Sequence, residues 1–148
     1  MSKSHDSRLS LDTARQLLRE AGLRCTSCRV AVIQFLSGAD CPMSHAEVAE
    51  DLVPRGFDKS TIYRCLMEFA DAGLVNRLDV GDHVWRFERR TAHDEQGVEH
   101  PHFMCVDCGQ VTCLNDVNVR VAQKRGQKPL VLGDVTEVLL KGHCPQCQ

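Results

Sequence analysis

The 148-residue sequence has no hydrophobic run near the roughly 18 apolar residues that a membrane-spanning helix needs. Its first residues, MSKSHDSRLS, lack the apolar stretch of a secretion signal. Excess charge is absent too. The net charge is −2, and basic and acidic residues are nearly balanced in both halves, so any contact with nucleic acid must come from a local patch. No internal repeat or low-complexity tract is visible. We therefore expect a globular, cytoplasmic chain with no membrane partner.

Cysteine, by contrast, is abundant. The chain has nine cysteines, and a cytosolic chain does not usually form a disulfide framework, because the cytosol keeps thiols reduced. Metal ligation is the expected use of these thiols. A chain of this length can form one domain or two small ones, and two small halves would need metal or dimerisation for stability.

Apolar residues recur at helical spacing in the first part of the chain. Ser10, Thr26 and Ser44 are placed as N-caps of three helices, the third with an S-x-x-E capping box and an end near Pro54. A fourth helix, DKSTIYRCLMEFADAG, is expected to bury one face, which carries Ile62, Leu66 and Phe69.

Two β-rich runs, LVNRLDV and HVWRFER, follow the fourth helix and are predicted to form a hairpin with a tight turn at Gly81-Asp82. Three helices, a fourth and then a hairpin are typical of a winged helix-turn-helix. The polar segment TAHDEQGVEHP then marks a linker. The predicted domains are therefore 8–90, a linker over 91–99, and 100–148.

Within 100–148, QVTCL and LVLGDVTEVLLKG are predicted strands that flank a short helix, DVNVRVAQKRG. Two CxxC pairs lie in the same part of the chain. Each pair lets two thiolates converge on one ion, and two pairs supply the four sulfur ligands of a closed structural zinc site. The alternative is a redox dithiol, which needs a CxxC at a helix N-terminus in a βαβ setting. The predicted zinc ligands are Cys105, Cys108, Cys144 and Cys147.

The remaining cysteines and two histidines require separate interpretations. Buried or capping thiols are the expected roles of Cys25, Cys28, Cys41 and Cys65. His100 and His102, two residues apart on an extended segment, point the same way, so both imidazoles can reach one ion. Because the cysteine site already has its four ligands, the histidines indicate a second metal site.

The motif HxHxxCxxCG with a later CxxC, together with STIYRCL and GLRCTSCR, resembles the ferric uptake regulator family of metal-dependent repressors, which includes zinc uptake regulators. The resemblance covers roughly residues 10–148. It implies an α+β fold in which an N-terminal winged helix is joined by a hinge to a small C-terminal α/β dimerisation domain with a structural zinc. A sensory metal between the domains would set a DNA-binding geometry.

By position, the resemblance implies a regulatory metal site of Glu88, His100 and His102. Cys113 stands where the family often has Asp or Glu, and it is either a ligand or a small core residue. A thiolate among imidazoles favours zinc over iron or manganese. Pro42 occupies the position of another frequent histidine ligand; the candidates to replace it are His83, Cys41 and His45.

The fourth helix is the expected DNA-reading element, because a recognition helix presents its first turns to the major groove. Tyr63 resembles the family's base-contacting tyrosine, which packs against thymine methyl groups. Phosphate contacts are expected near the helix N-terminus, where the dipole favours anions. The predicted DNA-binding residues are Arg24, Arg29, Ser60, Thr61, Tyr63 and Arg64.

The expected function is metal-dependent repression of metal-homeostasis genes by a homodimer that binds double-stranded DNA at an AT-rich inverted repeat, with no small-molecule substrate. A peroxide-sensing regulator of the same fold is one alternative. A zinc-dependent hydrolase or deaminase is another, since His45-Ala46-Glu47 matches an HxE motif, but the PCxxC partner of that motif is missing. A metal-storage protein or chaperone would have no use for a winged helix.

Overall fold

The computed structural model describes residues 8–90 and 100–148. The chain divides into two compact units, Met1–Arg90 and Thr91–Gln148. The predicted linker over 91–99 lies outside the described residues. No helix in the part of the chain that the structure describes is long and apolar enough to cross a membrane.

The N-terminal unit combines helices with a small sheet in the order expected of a winged helix. Its elements are α1 (Leu11–Glu20), α2 (Ser27–Ser37), β1 (Met43–Ser44), α3 (His45–Leu52), a 3-10 turn (Val53–Arg55), α4 (Lys59–Asp71), β2 (Val75–Asp79) and β3 (Trp85–Arg89). The three strands form one sheet in the order β1-β3-β2.

The helix starts predicted from capping residues are confirmed. The Ser10 hydroxyl accepts the Thr13 N–H at 3.2 Å, and the Thr26 hydroxyl caps α2 in the same way. At the start of α3, Ser44 accepts from the Glu47 N–H while Glu47 accepts from the Ser44 N–H at 2.7 Å. This reciprocal pair satisfies two backbone donors that the first turn of a helix leaves without partners.

One face of each helix supplies the core of the N-terminal unit. Ile62, Leu66 and Phe69 of α4 are fully buried, as their spacing predicts. They pack in one cluster with residues of α1, α2 and α3, of which Leu18, Ile33 and Leu52 are also fully buried. Because the apolar residues of α4 face this cluster, its polar residues lie on the opposite side of the helix.

The hairpin forms, but its predicted two-residue turn is wrong. β2 and β3 are antiparallel with Asp79 opposite Trp85, so the loop covers 80–84. Two residues of the loop have positive φ, Gly81 at 86° and His83 at 62°. The Asp79 carboxylate accepts the Gly81 N–H at 2.9 Å, which stabilises the longer loop. β1, which pairs with β3, was not predicted.

The C-terminal unit contains a three-stranded sheet of β4 (His102–Cys105), β5 (Val111–Cys113) and β6 (Leu139–Gly142). β4 is central, antiparallel to β5 and parallel to β6. The helix predicted over 116–126 is wrong, because the described residues 100–148 contain no helix. Val117, Val119 and Val121 alternate with polar residues, and this spacing cannot place them on one helical face. Of the long second predicted strand, only Leu139–Gly142 forms.

The C-terminal unit has little core of its own. Its buried residues among those described are His102, Met104, Cys105 and Val111. Large apolar side chains instead remain exposed along 117–140: Val117, Val119, Val121, Leu130, Val131, Leu132, Val135 and Leu140. A fold with so little buried apolar surface needs another source of stability, such as metal ligation or a covering partner.

Candidate metal centres and nucleic-acid interface

The sheet of the C-terminal unit brings the two CxxC pairs together. β4 and β6 run parallel with Cys105 opposite Gly142, so the segments that follow them emerge at the same edge. The first pair turns tightly, because the Gly109 N–H donates to the Cys105 carbonyl at 2.9 Å with Gly109 at φ 73°. The four sulfur atoms lie within 4.8 Å of one another: those of Cys105, Cys108, Cys144 and Cys147.

Backbone N–H groups stabilise the anionic form of sulfur in this cysteine cluster. The N–H groups of Cys108 and Cys144 hold the pKa of the Cys105 thiol down at about 6, the Cys144 N–H lying 3.3 Å from the sulfur. Hydrogen bonding to Cys144, followed by burial, raises the pKa of Cys147 to about 12. The sulfurs cannot all ionise side by side without a cation. The donor set and spacing fit a divalent soft metal such as zinc.

A hydrogen-bonded side-chain pair beside the cysteine cluster links its two CxxC turns. The Asp107 carboxylate, in the first turn, contacts Nδ1 of His143, immediately before the second. This hydrogen bond and the nearby charge raise the pKa of His143. Neither residue was predicted to have a role. Their separation in sequence gives no local signal, since only the pairing of β4 with β6 brings them together.

A second group of metal-competent side chains lies on the same sheet. The antiparallel pairing of β4 with β5 places His102 directly opposite Cys113, so both side chains project from one face. The ring centroids of His100 and His102 are 4.7 Å apart. The ligand atoms of His100, His102 and Cys113 lie within 4.8 Å of one another. Two imidazoles and a thiol are a donor set that suits zinc.

We call His100, His102 and Cys113 the histidine cluster. Their burial and strand positions distinguish them from residues that lie close together on a surface by chance. His102 is only 2% exposed, which is unusual for a polar residue in so small a core. The hairpin of β4 and β5 closes around the first CxxC turn, so its register pairs residue 102 with residue 113. Glu88, the remaining predicted ligand, lies half-buried in β3 of the N-terminal unit, opposite Asn76.

The cysteines of the N-terminal unit contact other sulfur atoms or the backbone of the same unit. Cys28 on α2 and Cys65 on α4 are buried, with their sulfurs 3.7 Å apart. Burial raises the pKa of both thiols, that of Cys65 to about 12. Cys41 lies against the Met43 sulfur, and Cys25 donates to the Arg15 carbonyl. Cys28 and Cys65 are the buried thiols that the sequence predicts, whereas Cys25 is exposed and Cys41 is half-buried.

The outer face of α4 presents polar side chains near its N-terminus. Ser60, Tyr63 and Arg64 are exposed, with Tyr63 at 42%. The Thr61 hydroxyl donates to the capping carboxylate of Asp58 at 3.2 Å. The Thr61 N–H and hydroxyl hold the pKa of Asp58 below its usual value. A fixed cap and an exposed first turn are compatible with the predicted role of α4 in the major groove.

Arg29 has an intramolecular partner that the sequence did not reveal. Its guanidinium donates twice to one oxygen of Glu68 on α4, at 3.0 and 2.7 Å, and also to the Arg24 carbonyl. The Arg29 side chain is 18% exposed. The pair braces α2 against α4, so Arg29 has a positioning role besides the predicted phosphate contact. Arg24 itself is exposed.

His45 is also engaged within the N-terminal unit. Its Nε2 lies 2.9 Å from the Lys59 carbonyl oxygen at the start of α4. Its ring meets that of Tyr63 edge-on, with centroids 5.2 Å apart and planes at 64°. His45 therefore contacts the recognition helix that the sequence predicted.

Comparison with known proteins agrees with this architecture. A profile of the ferric uptake regulator family matches residues 20–130. A ferric uptake regulation protein of Vibrio vulnificus (strain CMCP6) is 35% identical over 115 residues, or 74% of this chain and 72% of the relative. That of Escherichia coli (strain K12) is 31% identical over 136 residues, or 87% and 86%.

Solved structures show the same fold. The crystal structure of the Vibrio cholerae ferric uptake regulator matches with a TM-score of 0.64 at 27% identity, covering 88% of this chain and 98% of that one. The ferric uptake regulator of Pseudomonas aeruginosa with manganese matches with a TM-score of 0.59 at 27% identity, covering 89% and 98%.

Proposed function

Because this chain belongs to the ferric uptake regulator family, we propose that it represses metal-homeostasis genes when a sensory metal, with zinc favoured, is bound. Members of this family are transcription regulators and not enzymes. The observation that carries the proposal is the convergence of His100, just before β4, with His102 on β4 and Cys113 on β5, as a group distinct from the four-cysteine cluster. In this proposal the four-cysteine cluster has a structural role, and His100, His102 and Cys113 have the sensory role.

The four-cysteine cluster is the proposed structural zinc site. Four thiolates leave no open coordination position, and such closed sites hold zinc tightly. Metal at this position would fasten the segment after β6 to the turn after β4. The Asp107–His143 pair supports the same junction from outside the sulfurs. The small sheet then becomes a stable platform for the histidine cluster.

The proposed sensory set is Glu88, His100, His102 and Cys113, with Glu88 added by resemblance to the family. A metal held jointly by Glu88 and the histidines would bind more tightly in one arrangement of the two units than in others. Differential ligation shifts the population toward that arrangement. Raising the fraction of protein in the DNA-binding arrangement from about 1% to 99% requires about 5.5 kcal/mol of differential affinity.

Cys113 supports zinc as the sensory metal. Imidazole and thiolate are ligands that zinc accepts readily, whereas manganese prefers oxygen donors. The sulfur lies within 4.8 Å of the histidine nitrogens, so small side-chain shifts would bring all three ligand atoms onto one ion. Iron is the alternative metal.

The proposed DNA contacts begin at the first turns of α4. Tyr63 would pack against thymine methyl groups, and Arg64 would reach a guanine edge or a phosphate. Ser60 and Thr61 would donate to phosphates beside the helix N-terminus. Arg24 would add an exposed charge in the loop before α2. Arg29 is included as a predicted phosphate ligand whose pairing with Glu68 also holds α4 in place.

Regulators of this family bind DNA and act as dimers, and a two-fold dimer matches an inverted repeat. The exposed apolar side chains along 117–140 are the surface we propose for contact with a second copy. They lie on the unit with the smaller core, where burial against a partner would add the most stability.

Selection of bound sequences from random DNA by the zinc-loaded protein tests the proposal. We expect enrichment of an AT-rich inverted repeat, and loss of that enrichment when only one metal per chain is present. Tyr63→Ala should reduce the discrimination between operator and random DNA by roughly 1–3 kcal/mol. If Tyr63→Ala weakened the affinity for all DNA sequences equally, Tyr63 would not be a base-reading residue.

Arg64→Ala has a matched control in Lys141→Ala, which removes an exposed cation from the C-terminal unit. If Arg64 contacts a phosphate, its loss should lower the slope of log affinity against log salt by about one. Lys141→Ala should leave the slope unchanged. The absence of any selected sequence under all metal conditions would refute the proposed function.

A further inference from the structure

His45 begins α3, yet its contacts are with α4. Its Nε2 lies 2.9 Å from the Lys59 carbonyl oxygen, and its ring meets the Tyr63 ring at 5.2 Å. A carbonyl oxygen only accepts, so Nε2 must carry the hydrogen. Both contacts converge on Tyr63, because in an α-helix the carbonyl of residue 59 also accepts the backbone N–H of residue 63.

The contact controls a side chain that would otherwise be mobile. Tyr63 is 42% exposed, and an exposed aromatic ring samples several rotamers. An edge-to-face neighbour favours one of them. A ring already held in its binding rotamer loses less conformational entropy when it meets a base.

We propose that His45 is a positioning residue for base recognition, which holds the Tyr63 ring in the orientation that reads DNA. This inference rests on the proposed function. The ligand class is the thymine-rich major groove, whose methyl groups offer the apolar surface that a fixed tyrosine ring contacts.

His45 is not needed to start its own helix. The capping box of Ser44 and Glu47 does that work, and alanine has a higher helix propensity than histidine. His45→Ala should therefore fold normally. Glu50→Ala, an exposed substitution on the same helix, is the matched control.

The first test needs no DNA. Tyr63 is the only tyrosine in the chain, so full-length protein labelled with 3-fluorotyrosine gives fluorine resonances from one site. Loss of the neighbouring imidazole should shift and narrow the resonance in His45→Ala, while Glu50→Ala leaves it in place. An unchanged resonance in His45→Ala would overturn the proposal, whatever the protein does on DNA.

The second test compares the affinities of zinc-loaded protein for its selected operator and for random DNA. His45→Ala should lower their ratio roughly two- to tenfold, the range expected for losing an aromatic pair. His45→Phe, which keeps the ring and loses the donor, should restore more of the ratio than His45→Gln, which keeps only a donor.

A double-mutant cycle separates positioning from direct contact. In a Tyr63→Ala background, His45→Ala should have no further effect on the ratio. An undiminished effect there would show that His45 acts independently of Tyr63 and would refute the inference. If Tyr63→Ala reduces discrimination but His45→Ala does not, the positioning role fails while the proposed function stands.

Discussion

Replacing Cys144 with serine should unfold the C-terminal unit while leaving the N-terminal unit intact. Cys144 supplies a sulfur to the four-cysteine cluster and an N–H to the Cys105 sulfur. Serine keeps the N–H but replaces a soft ligand with a hydroxyl that zinc rarely accepts in closed sites. We therefore expect Cys144→Ser to lose the metal first, and the sheet of β4, β5 and β6 to unfold as a result.

The size of the effect follows from the small core. β4, β5 and β6 have four, three and four residues. Ordering them costs on the order of 11–22 kcal/mol at about 1–2 kcal/mol per residue. Burial of Met104 and Val111 contributes only about 3–6 kcal/mol. A structural zinc contributes about 10–16 kcal/mol, which brings the two sides close to balance. Without the zinc, the burial of Met104 and Val111 alone does not offset the cost of ordering the three strands.

The assay combines zinc content with hydrogen exchange across the two units. Amides of β4 and β6 should lose protection in Cys144→Ser. Trp85, the only tryptophan, lies in the N-terminal unit against the Arg77 guanidinium at 4.2 Å, so its emission should not change. Cys25→Ser is the matched control, because that exposed thiol lies in the N-terminal unit, outside the cluster. A zinc-free Cys144→Ser protein with a protected sheet would show that the sheet does not depend on zinc.

Three further predictions concern single side chains. His102→Ala should leave the tightly held zinc and the dimer in place but abolish metal-dependent operator binding, which anisotropy titration would measure. Cys113→Asp should move metal preference from zinc toward iron or manganese in competition assays; if Cys113 is only core, the variant should instead unfold at a lower temperature. Asp82→Asn should destabilise the N-terminal unit by about 1 kcal/mol at neutral pH. Arg86 holds the pKa of Asp82 below its usual value, so this loss should vanish as pH falls through that lowered pKa, and urea titration from pH 7 to 2 checks it.

The sequence predicted the N-terminal helices well because their start signals are local. A capping hydroxyl such as that of Thr26 acts within three residues, so its effect does not depend on distant packing. The hairpin loop is harder to predict from sequence. Gly81-Asp82 matched a two-residue turn, but Asp79 and Asp82 accept backbone N–H groups within the loop and stabilise a longer connection.

The C-terminal errors have a different cause. The helix predicted over 116–126 is wrong because its alternating valines lack helical spacing. The two ligand clusters were predicted from motif spacing and resemblance, and the register of β4 with β5 gives the physical reason why residues 102 and 113 meet. Contacts such as Arg29 with Glu68 join distant positions and leave no pattern in sequence.

If metal at the histidine cluster switches on DNA binding, the operator affinity of one protein preparation should differ between one and two zinc ions per chain. We expect weak binding, close to that for random DNA, at one equivalent, and at least a hundredfold tighter binding, on the order of 3 kcal/mol, at two. His100→Ala should remain at the weak value throughout. Equal operator affinity at one and two equivalents, with no change in His100→Ala, would show that metal at the histidine cluster does not control DNA binding.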